Sequence, residues 1–385
     1  MSGKINCPCC DHSVSQGLYP EYTGTCVTSD MEMLENTSIN NRLCEACGLI
    51  FNAAGTRGKT EEFYASSYKL MMRNDTSGVQ SFAGGAQPIS QAERTFDTLG
   101  ELAELHPKGM VLEAGAGKGG FLEHFTVAFP EWEIHAFEPS MAFEVLKTAH
   151  PDAVITQGNY TDVEMDGRVD LVVALGVLEH VENPLDMMHW VARQLVNGGI
   201  FYLRVPNFSK NPNDLFCADH LSKLTVPTLT SLAHAAGFEV IGHKEAGVPV
   251  FMALRKTGQA GKLANVYIEN SKIASSNVDV AERAMDAILR CRKTANQQGD
   301  PFAIFGLGSS GLFSPLFMDF NPDEIAAYLD ENKSVWGSSI HGRPVGGLDL
   351  IEKLGIKHVA LAISPTYFDQ VRAKLEPEGV SIYSA

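Results

Sequence analysis

Residues 111–121 read VLEAGAGKGGF, a glycine-rich segment directly after an apolar run, and they are the first candidates for chemistry. The glycines at positions 115, 117 and 120 fit G-x-G-x-x-G, the loop that cradles the pyrophosphate of a dinucleotide. Glu113, Gly115, Gly117 and Gly119 instead fit E-x-G-x-G-x-G, a loop that holds S-adenosylmethionine (SAM). In both cases the backbone must come close to a ligand, which glycine permits. The segment therefore predicts a small-molecule site with two possible occupants.

Polar residues after the neighbouring strands help to separate these two occupants. Glu113 ends its predicted strand, where a carboxylate can face the positively charged part of SAM but would repel the phosphates of a dinucleotide. Glu138 ends the next predicted strand, and it is placed to accept both ribose hydroxyls, which either cofactor offers. Asn159 follows a third strand, where its amide could bond the edge of adenine. These three residues together favour SAM, although the ribose contact of Glu138 alone does not distinguish SAM from a dinucleotide.

Two C-x-x-C pairs lie near the start of the sequence. Cys7 and Cys10 form the first pair, and Cys44 and Cys47 form the second. Four thiolates held by two tight turns are the ligands of a closed, tetrahedral, structural zinc site. The gap between the pairs is long, so an insertion must loop out, and Cys9 is a competing ligand. The alternatives are four unrelated buried thiols or a redox pair.

Composition excludes several classes of protein. A chain of 385 residues with a hydrophobic fraction of 44% should form two or three domains. Its formal net charge of −16 argues against a nucleic-acid partner, because phosphate binding needs a basic surface. No run of about 18 apolar residues indicates a membrane span, and the first residues lack the apolar core of a secretory signal. We therefore expect a cytoplasmic protein whose cysteines are thiols or metal ligands.

Apolar runs and helical patterns alternate along most of the chain. From residue 88 onwards, an amphipathic helix precedes repeated strand–helix units, and 169–175 is apolar throughout, as a strand buried on both faces should be. This alternation predicts an α/β fold with a doubly wound parallel sheet. A second, smaller alternation starts near residue 265, after a linker at 253–262. Residues up to about Gly58 are expected to be rich in loops.

The glycine loop, the acidic strand end and the later segment LEHVENP occur in an order that resembles the class I SAM-dependent methyltransferases. Pro139 and Leu175 complete the cofactor site that this resemblance implies. The wider arrangement resembles the sugar C-methyltransferase family, whose members methylate nucleotide-linked keto-deoxysugars. It implies a zinc module over residues 1–75, a SAM-binding domain over 76–257 and a Rossmann-like domain over 258–385.

Catalytic candidates follow from the same resemblance. Family members carry a Tyr-x-Glu-His cluster; here the corresponding stretch is FCADHLSKLT, in which Cys217, Asp219 and His220 stand at the three positions. C-methylation needs a base that removes a proton next to a ketone, and a histidine suits that role at neutral pH. His220, oriented by Asp219, is the first candidate, and a capping or packing histidine is the alternative.

Three further candidates, one histidine and two tyrosines, lie outside that cluster. His180 follows the fourth strand of the SAM domain, beside the expected methyl group, where it could act as a base or shape the pocket. Tyr64 and Tyr68 fall where the family places a tyrosine over the active site, and Tyr68 is the preferred candidate. Aromatic residues four apart are also what an amphipathic helix would bury.

A second glycine loop, FAIFGLGSSGLF at 302–313, matches G-x-G-x-x-G and is followed by Asp330 at the next strand end. The spacing alone allows NAD. The resemblance instead implies a domain that helps to form a sugar-nucleotide cleft, where Ser309 and Ser310 could donate to a diphosphate. Contact with a nucleotide diphosphate, a structural role and NAD binding all stay open.

The sequence thus predicts SAM-dependent methyl transfer to a small acceptor, and a nucleotide-linked keto sugar is the preferred one. An O- or N-methyltransferase of another small metabolite is the first alternative, because the catalytic cluster departs from the family pattern. A zinc-bearing protein that binds a nucleotide sugar without catalysis is the second. The oligomeric state and the methylated atom do not follow from the sequence.

Overall fold

The computed structural model describes residues 5–68 and 90–385. Its strands are, in chain order, β1 Gly17–Val27, β2 Met33–Leu43, β3 Ile50–Asn52, β4 Met110–Ala114, β5 Glu133–Glu138, β6 Val154–Gln157, β7 Val169–Leu175, β8 Leu195–Pro206, β9 Ser222–Lys223, β10 Phe238–Glu245, β11 Pro249–Lys256, β12 Phe302–Phe305, β13 Ile325–Leu329, β14 Ser339–Ile340, β15 Arg343–Gly346, β16 His358–Leu361 and β17 Ser381–Tyr383. Its α-helices are α1 Thr60–Ser66, α2 Gln91–Leu102, α3 Gly120–Ala128, α4 Phe143–Ala149, α5 Pro184–Gln194, α6 Val226–Ala235, α7 Tyr267–Gln298, α8 Ser309–Phe317, α9 Asp349–Leu354 and α10 Phe368–Leu375. None of these helices has the length and apolar character needed to cross a bilayer.

The largest sheet has seven strands in the order β10-β11-β8-β7-β4-β5-β6. Strands β4 to β8 pair in parallel, whereas β11 runs antiparallel to both β8 and β10. Alternate residues of each strand enter different cores: Leu112 and Val172 pack on one face with α5 and α6, and Val111 and Val173 pack on the other with α3. The predicted doubly wound α/β sheet is confirmed.

Successive strands are added to this sheet first on one side of β4 and then on the other. The chain first adds β5 and β6 on one side of β4, and then reverses to add β7 and β8 on the other. In open α/β sheets, ligands bind at the carboxyl ends of the strands beside such a reversal, because the loops there diverge and leave a crevice. The topology therefore places a crevice directly above the glycine loop.

The N-terminal region departs from the sequence prediction. We expected mostly loops before Gly58, but β1 and β2 are strands of 11 residues each. β2 is mostly polar and β1 is rich in glycine, tyrosine and threonine, so no apolar alternation marks either strand, and distant partners stabilise them instead. The rings of Tyr22 and Phe313 lie 5.0 Å apart, and those of Tyr19 and Phe317 lie 5.8 Å apart. The burial that stabilises these strands comes from the C-terminal part of the chain.

A second sheet and a long helix join the regions of the chain. The sheet has the order β1-β2-β3-β9, so a strand from residues 222–223 completes the N-terminal sheet. On α7, Asn270 is fully buried and donates to the carbonyl of Gly48 at 2.7 Å, while the hydroxyl of Thr225 donates to its side-chain oxygen at 2.8 Å. The predicted domain boundary at residues 75 and 76 lies outside the described residues. The same is true of the segment NDTSGVQSFAGGAQ at 74–87, whose small and polar residues predict flexibility.

The C-terminal region forms a six-stranded sheet in the order β14-β15-β13-β12-β16-β17. Strands that the sequence predicts at 301–306, 324–332 and 358–364 are present as the shorter β12, β13 and β16, which pair in parallel. The predicted linker is shorter than expected, because residues 253–256 belong to β11. The predicted amphipathic helix after residue 88 is confirmed as α2, whose N-cap Ser90 accepts from the backbone N–H of Glu93 at 3.0 Å.

Candidate active site

The glycine loop between β4 and α3 uses three of its glycines in a conformation that other residues adopt at a cost. Gly115, Gly117 and Gly119 have φ angles of +63°, +57° and +87°. Gly120 takes an ordinary helical conformation and is the first residue of α3. The positive φ angles therefore fall on the glycines of E-x-G-x-G-x-G, and the third glycine of the rival dinucleotide pattern does not need one.

Glu138 ties the glycine loop to the loop after β5. One carboxylate oxygen accepts from the N–H of Gly117 at 2.8 Å, and the other accepts from the N–H of Ser140 at 2.9 Å. The side chain is buried except for the part that faces a cavity. This is the position expected of an acidic residue that accepts from a ribose.

Glu113, two residues before Gly115, is not on the wall of that cavity. Its carboxyl group is buried, and Oε2 has no hydrogen-bond partner among the described residues. Burial, reinforced by the charge of Glu138, raises the pKa of Glu113 well above its ordinary value, although Arg204 opposes the shift. Its contact with a cationic cofactor stays a prediction; a buried oxygen without a partner is a group that a bound donor would satisfy.

The cavity above the loop has a volume of about 530 Å³ and is lined more by apolar than by polar surface. Its size is that of a small-molecule site. The predicted site residues on its wall are Gly115, Glu138, Pro139, Asn159, Leu175, His180 and Tyr68. Residues 58–62 and Tyr64 close one side, so the N-terminal region supplies part of the wall. The structure thus brings five of the eight predicted cofactor residues and two of the four predicted catalytic residues around one space. Glu113, Gly117 and Gly119, like Asp219 and His220, are not on its wall.

At the far end of this wall, Tyr64 contacts both His180 and Asp219. The hydroxyl of Tyr64 lies within hydrogen-bond distance of Nδ1 of His180, and it donates to Oδ2 of Asp219 at 3.1 Å. Tyr68, the tyrosine preferred from the sequence, packs its ring on Tyr64 with a centroid distance of 4.9 Å. Tyr64 is therefore the tyrosine that contacts His180 and Asp219 directly.

His220 has a different carboxylate partner from the one we predicted. Its Nδ1 is hydrogen-bonded to Asp214, not to Asp219. Lys223, which is fully buried, fixes the intervening turn by donating to the carbonyls of Cys217 at 3.0 Å and His220 at 2.9 Å. Asp214 lies in the short helical turn Pro212–Phe216, and the sequence carried no signal for it beyond an acidic residue in an apolar stretch.

Neighbouring charges shift the pKa values of His220 and Asp219. Burial alone would lower the pKa of His220, but Cys217 and the Asp214 carboxylate outweigh it and raise the pKa well above 6.5. Burial would raise the pKa of Asp219, but His180 and His220 lower it to about 2. At neutral pH, Asp219 is therefore ionised and His220 carries a proton. His220 does not line the cavity, although its ring lies 4.7 Å from that of His180.

The four predicted metal ligands lie together. The Sγ atoms of Cys7, Cys10, Cys44 and Cys47 are all within 4.8 Å of one another, and the pairs Cys7–Cys47 and Cys10–Cys44 are each 3.6 Å apart. With Zn–S bonds of about 2.3 Å, sulfurs of a tetrahedral site lie roughly 3.8 Å apart. The donors and their spacing therefore fit one zinc ion.

Cys9 does not join the four sulfurs. Its thiol points to the side-chain oxygen of Asn183, 3.6 Å away, so Cys9 is outside the metal cluster. Cys26, Cys217 and Cys291 are buried free thiols.

The second glycine loop is tightly packed against the C-terminal sheet. A Cβ atom on Gly306 would lie 2.5 Å from Cγ2 of Ile363. Asp330 accepts from the N–H of Leu307 at 2.9 Å, and the buried hydroxyl of Ser310 donates to the carbonyl of Ala362 at 2.8 Å. Of the two hydroxyls that we expected to donate to a diphosphate, that of Ser310 is therefore already in use.

A comparison with protein families matches the part of the chain that carries the glycine loop. Residues 89–243 match the family model described as a methyltransferase domain. No curated protein shows a significant sequence match.

Three solved structures show a limited likeness to this chain. The first is a putative S-adenosylmethionine-dependent methyltransferase from Listeria monocytogenes, with 14% identity over 43% of this chain and 99% of that chain and a TM-score of 0.37. The second is a possible histamine N-methyltransferase from Thermotoga maritima, with 17% identity over 43% of this chain and 88% of that chain and a TM-score of 0.36. The third is the 1,6-didemethyltoxoflavin-N1-methyltransferase of Burkholderia thailandensis, with 18% identity over 43% of this chain and 78% of that chain and a TM-score of 0.35. TM-scores this low carry no argument. The family match, together with the glycine loop and Glu138 beside the reversal point of the sheet, supports SAM-dependent methyl transfer as the chemistry of residues 89–243.

Proposed function

We propose that the protein transfers the methyl group of SAM to a nucleotide-linked keto sugar, with histidine assistance in removing the proton of the acceptor. One observation carries this proposal. A single cavity has Gly115 and Glu138 at one part of its wall and His180 with Tyr64 at another. A cofactor held by the first part would present its reactive group to an acceptor held by the second.

The residues on the wall fit SAM. A ribose would bond Glu138, adenine would lie against the apolar side chain of Leu175 and the amide of Asn159, and Gly115 would allow close approach of the methionine part. The cofactor supplies an electrophilic methyl group, and its loss leaves S-adenosylhomocysteine. The protein has to place the acceptor atom in line with that methyl group, and such positioning accounts for much of the rate.

The sugar acceptor rests on the resemblance to the sugar C-methyltransferases. We propose their three domains for this chain, with boundaries near residues 75 and 257 and a structural zinc ion on Cys7, Cys10, Cys44 and Cys47. A C-methyltransferase must stabilise an enolate as well as remove a proton. The protonated imidazole of His220, beside His180, supplies a positive charge near that position.

Calorimetry with SAM tests the cofactor first, and absence of heat at high micromolar SAM would refute it. Release of S-adenosylhomocysteine is then measured with a panel of nucleoside-diphosphate keto sugars. We expect turnover with at least one member and its loss in His220→Asn; full turnover of that variant would remove His220 from the mechanism. NMR of the product locates the methyl group, and a methyl on oxygen or nitrogen would favour the other class of methyltransferase. Binding without any release of S-adenosylhomocysteine would indicate a non-catalytic protein.

A further inference from the structure

Asp219 lies in the polar cluster at the end of the cavity, where several hydrogen bonds hold its carboxylate in place. Its carboxylate accepts from the backbone N–H of Ser29 at 2.7 Å, from the hydroxyl of Ser29 at 2.6 Å, and from the thiol of Cys217 at 3.1 Å. The hydroxyl of Tyr64 also contacts it, at 3.1 Å. An ionised carboxylate can only accept, so the hydroxyl proton of Tyr64 must point towards Asp219.

This direction determines the tautomer of His180. With its proton committed to Asp219, the oxygen of Tyr64 offers only lone pairs to Nδ1 of His180. The second neighbour of that nitrogen is the backbone carbonyl oxygen of Asp219, at 3.1 Å, which is also an acceptor. Nδ1 is thus surrounded by acceptors and carries the hydrogen. Nε2 is left with the lone pair, and Oε1 of Glu179 is 3.9 Å from it, beyond hydrogen-bond distance.

The other histidine is arranged differently. His220 contacts Asp214 directly through Nδ1 and lies off the cavity wall, whereas His180 is on the wall. The two side chains have almost the same exposure, 9% for His220 and 8% for His180. Their difference is therefore one of hydrogen-bond partners and position, not of access to solvent.

We propose that Nε2 of His180 is the general base of the methyl transfer, and that Tyr64 and Asp219 are positioning residues that hold its tautomer. This inference rests on the proposed function and assigns the base within it. The acceptor's C–H or O–H bond breaks and its proton goes to Nε2. The electron pair of that bond forms the new bond to the methyl carbon, while the carbon–sulfur bond breaks and its pair stays on sulfur. Asp219, through Tyr64, stabilises the imidazolium that forms, and the proton leaves to solvent after the product.

The tautomer is measured without an acceptor. In the full-length protein labelled with ¹⁵N-histidine, long-range ¹H–¹⁵N spectra at pH 7.5 should show His180 as the Nδ1–H tautomer, with His180→Gln assigning the signal. Tyr64→Phe removes the hydroxyl that accepts from Nδ1, and we expect a mixture of tautomers. Tyr68→Phe is the matched control, because it removes a neighbouring phenol that makes no hydrogen bond to His180. An Nε2–H tautomer in the wild type, or no change in Tyr64→Phe, would overturn the proposal.

Chemical modification gives a second measurement that needs no variant. Diethyl pyrocarbonate reacts with the unprotonated nitrogen of imidazole, and peptide mass spectrometry locates the product. We expect modification of His180 to be at least tenfold faster than that of His220 in the wild-type protein. Equal rates, or faster modification of His220, would contradict the assignment. If the tautomer and the rates agree with the proposal but no acceptor is methylated, the proposed function fails; if methylation occurs and His180 has the opposite tautomer, only this inference fails.

Discussion

Replacing Glu138 by Gln should weaken SAM binding, and the structure shows why. Each carboxylate oxygen accepts from one backbone N–H, on Gly117 at 2.8 Å and on Ser140 at 2.9 Å. A glutamine has one acceptor and one donor in the same places. Whichever way the amide is turned, one of the two backbone N–H groups faces another donor.

The magnitude follows from the hydrogen bonds that change. Losing one hydrogen bond to a charged acceptor costs about 1.5–3 kcal/mol. If the ribose contact proposed for Glu138 weakens by the same amount, the affinity for SAM falls by roughly 10- to 150-fold, since about 1.4 kcal/mol is a factor of ten. The loop of Gly117 should also be less well fixed before binding, so both the affinity and the thermal midpoint should fall.

Isothermal calorimetry with SAM checks this prediction. Glu144→Gln is the matched control, because Glu144 is exposed on α4 a few residues further along, where the same loss of charge should leave the dissociation constant nearly unchanged. If Glu138→Gln bound SAM within about threefold of the wild type, the hydrogen bonds to Gly117 and Ser140 would not be part of cofactor recognition, and the reasoning would be refuted.

Three further predictions address the metal cluster, the acidic cluster and the glycine loop. Cys44→Ser should reduce the zinc content measured by plasma mass spectrometry to background, while Cys9→Ser, outside the cluster, retains it; zinc that survives Cys44→Ser would contradict the site. Asp219→Asn should cost roughly 2 kcal/mol of stability at pH 7, because the pKa of Asp219 is about 2 in the folded protein instead of 3.8. A lowered folded pKa stabilises above the unfolded value, so the gap between the thermal midpoints should close as the pH falls from 4 to 2; a gap independent of pH would show another cause. Gly119→Ala should lower stability by about 1–3 kcal/mol through its positive φ, and a Cβ there also lies 2.5 Å from an imidazole nitrogen. Gly120→Ala, whose Cβ would meet its nearest neighbour at 3.4 Å, should be close to neutral in the same thermal measurement.

The sequence alone predicted those features that depend on short spacings. A loop that turns sharply after a strand needs glycine wherever φ is positive, so the motif at 113–119 marked its position without any knowledge of the fold. The spacing of the paired cysteines also predicted their site, because two thiols separated by two residues lie on one turn and can bind one ion. Strand and helix periods predicted the doubly wound sheet for the same local reason, and β1 and β2 were missed because their sequences show no such period.

Tertiary structure decided which polar side chains meet. Tyr64 and Asp219 are 155 residues apart in the sequence, and Ser29 and Asp219 are 190 apart. Their contact exists because β9 joins the N-terminal sheet and places the turn before it beside α1. The partner of His220 depends on a short helical turn that carries Asp214 inwards, so the neighbouring Asp219 was the natural but incorrect choice of partner. Residue types and short spacings fix local geometry, whereas hydrogen-bond partners depend on how distant segments pack, which no short pattern encodes.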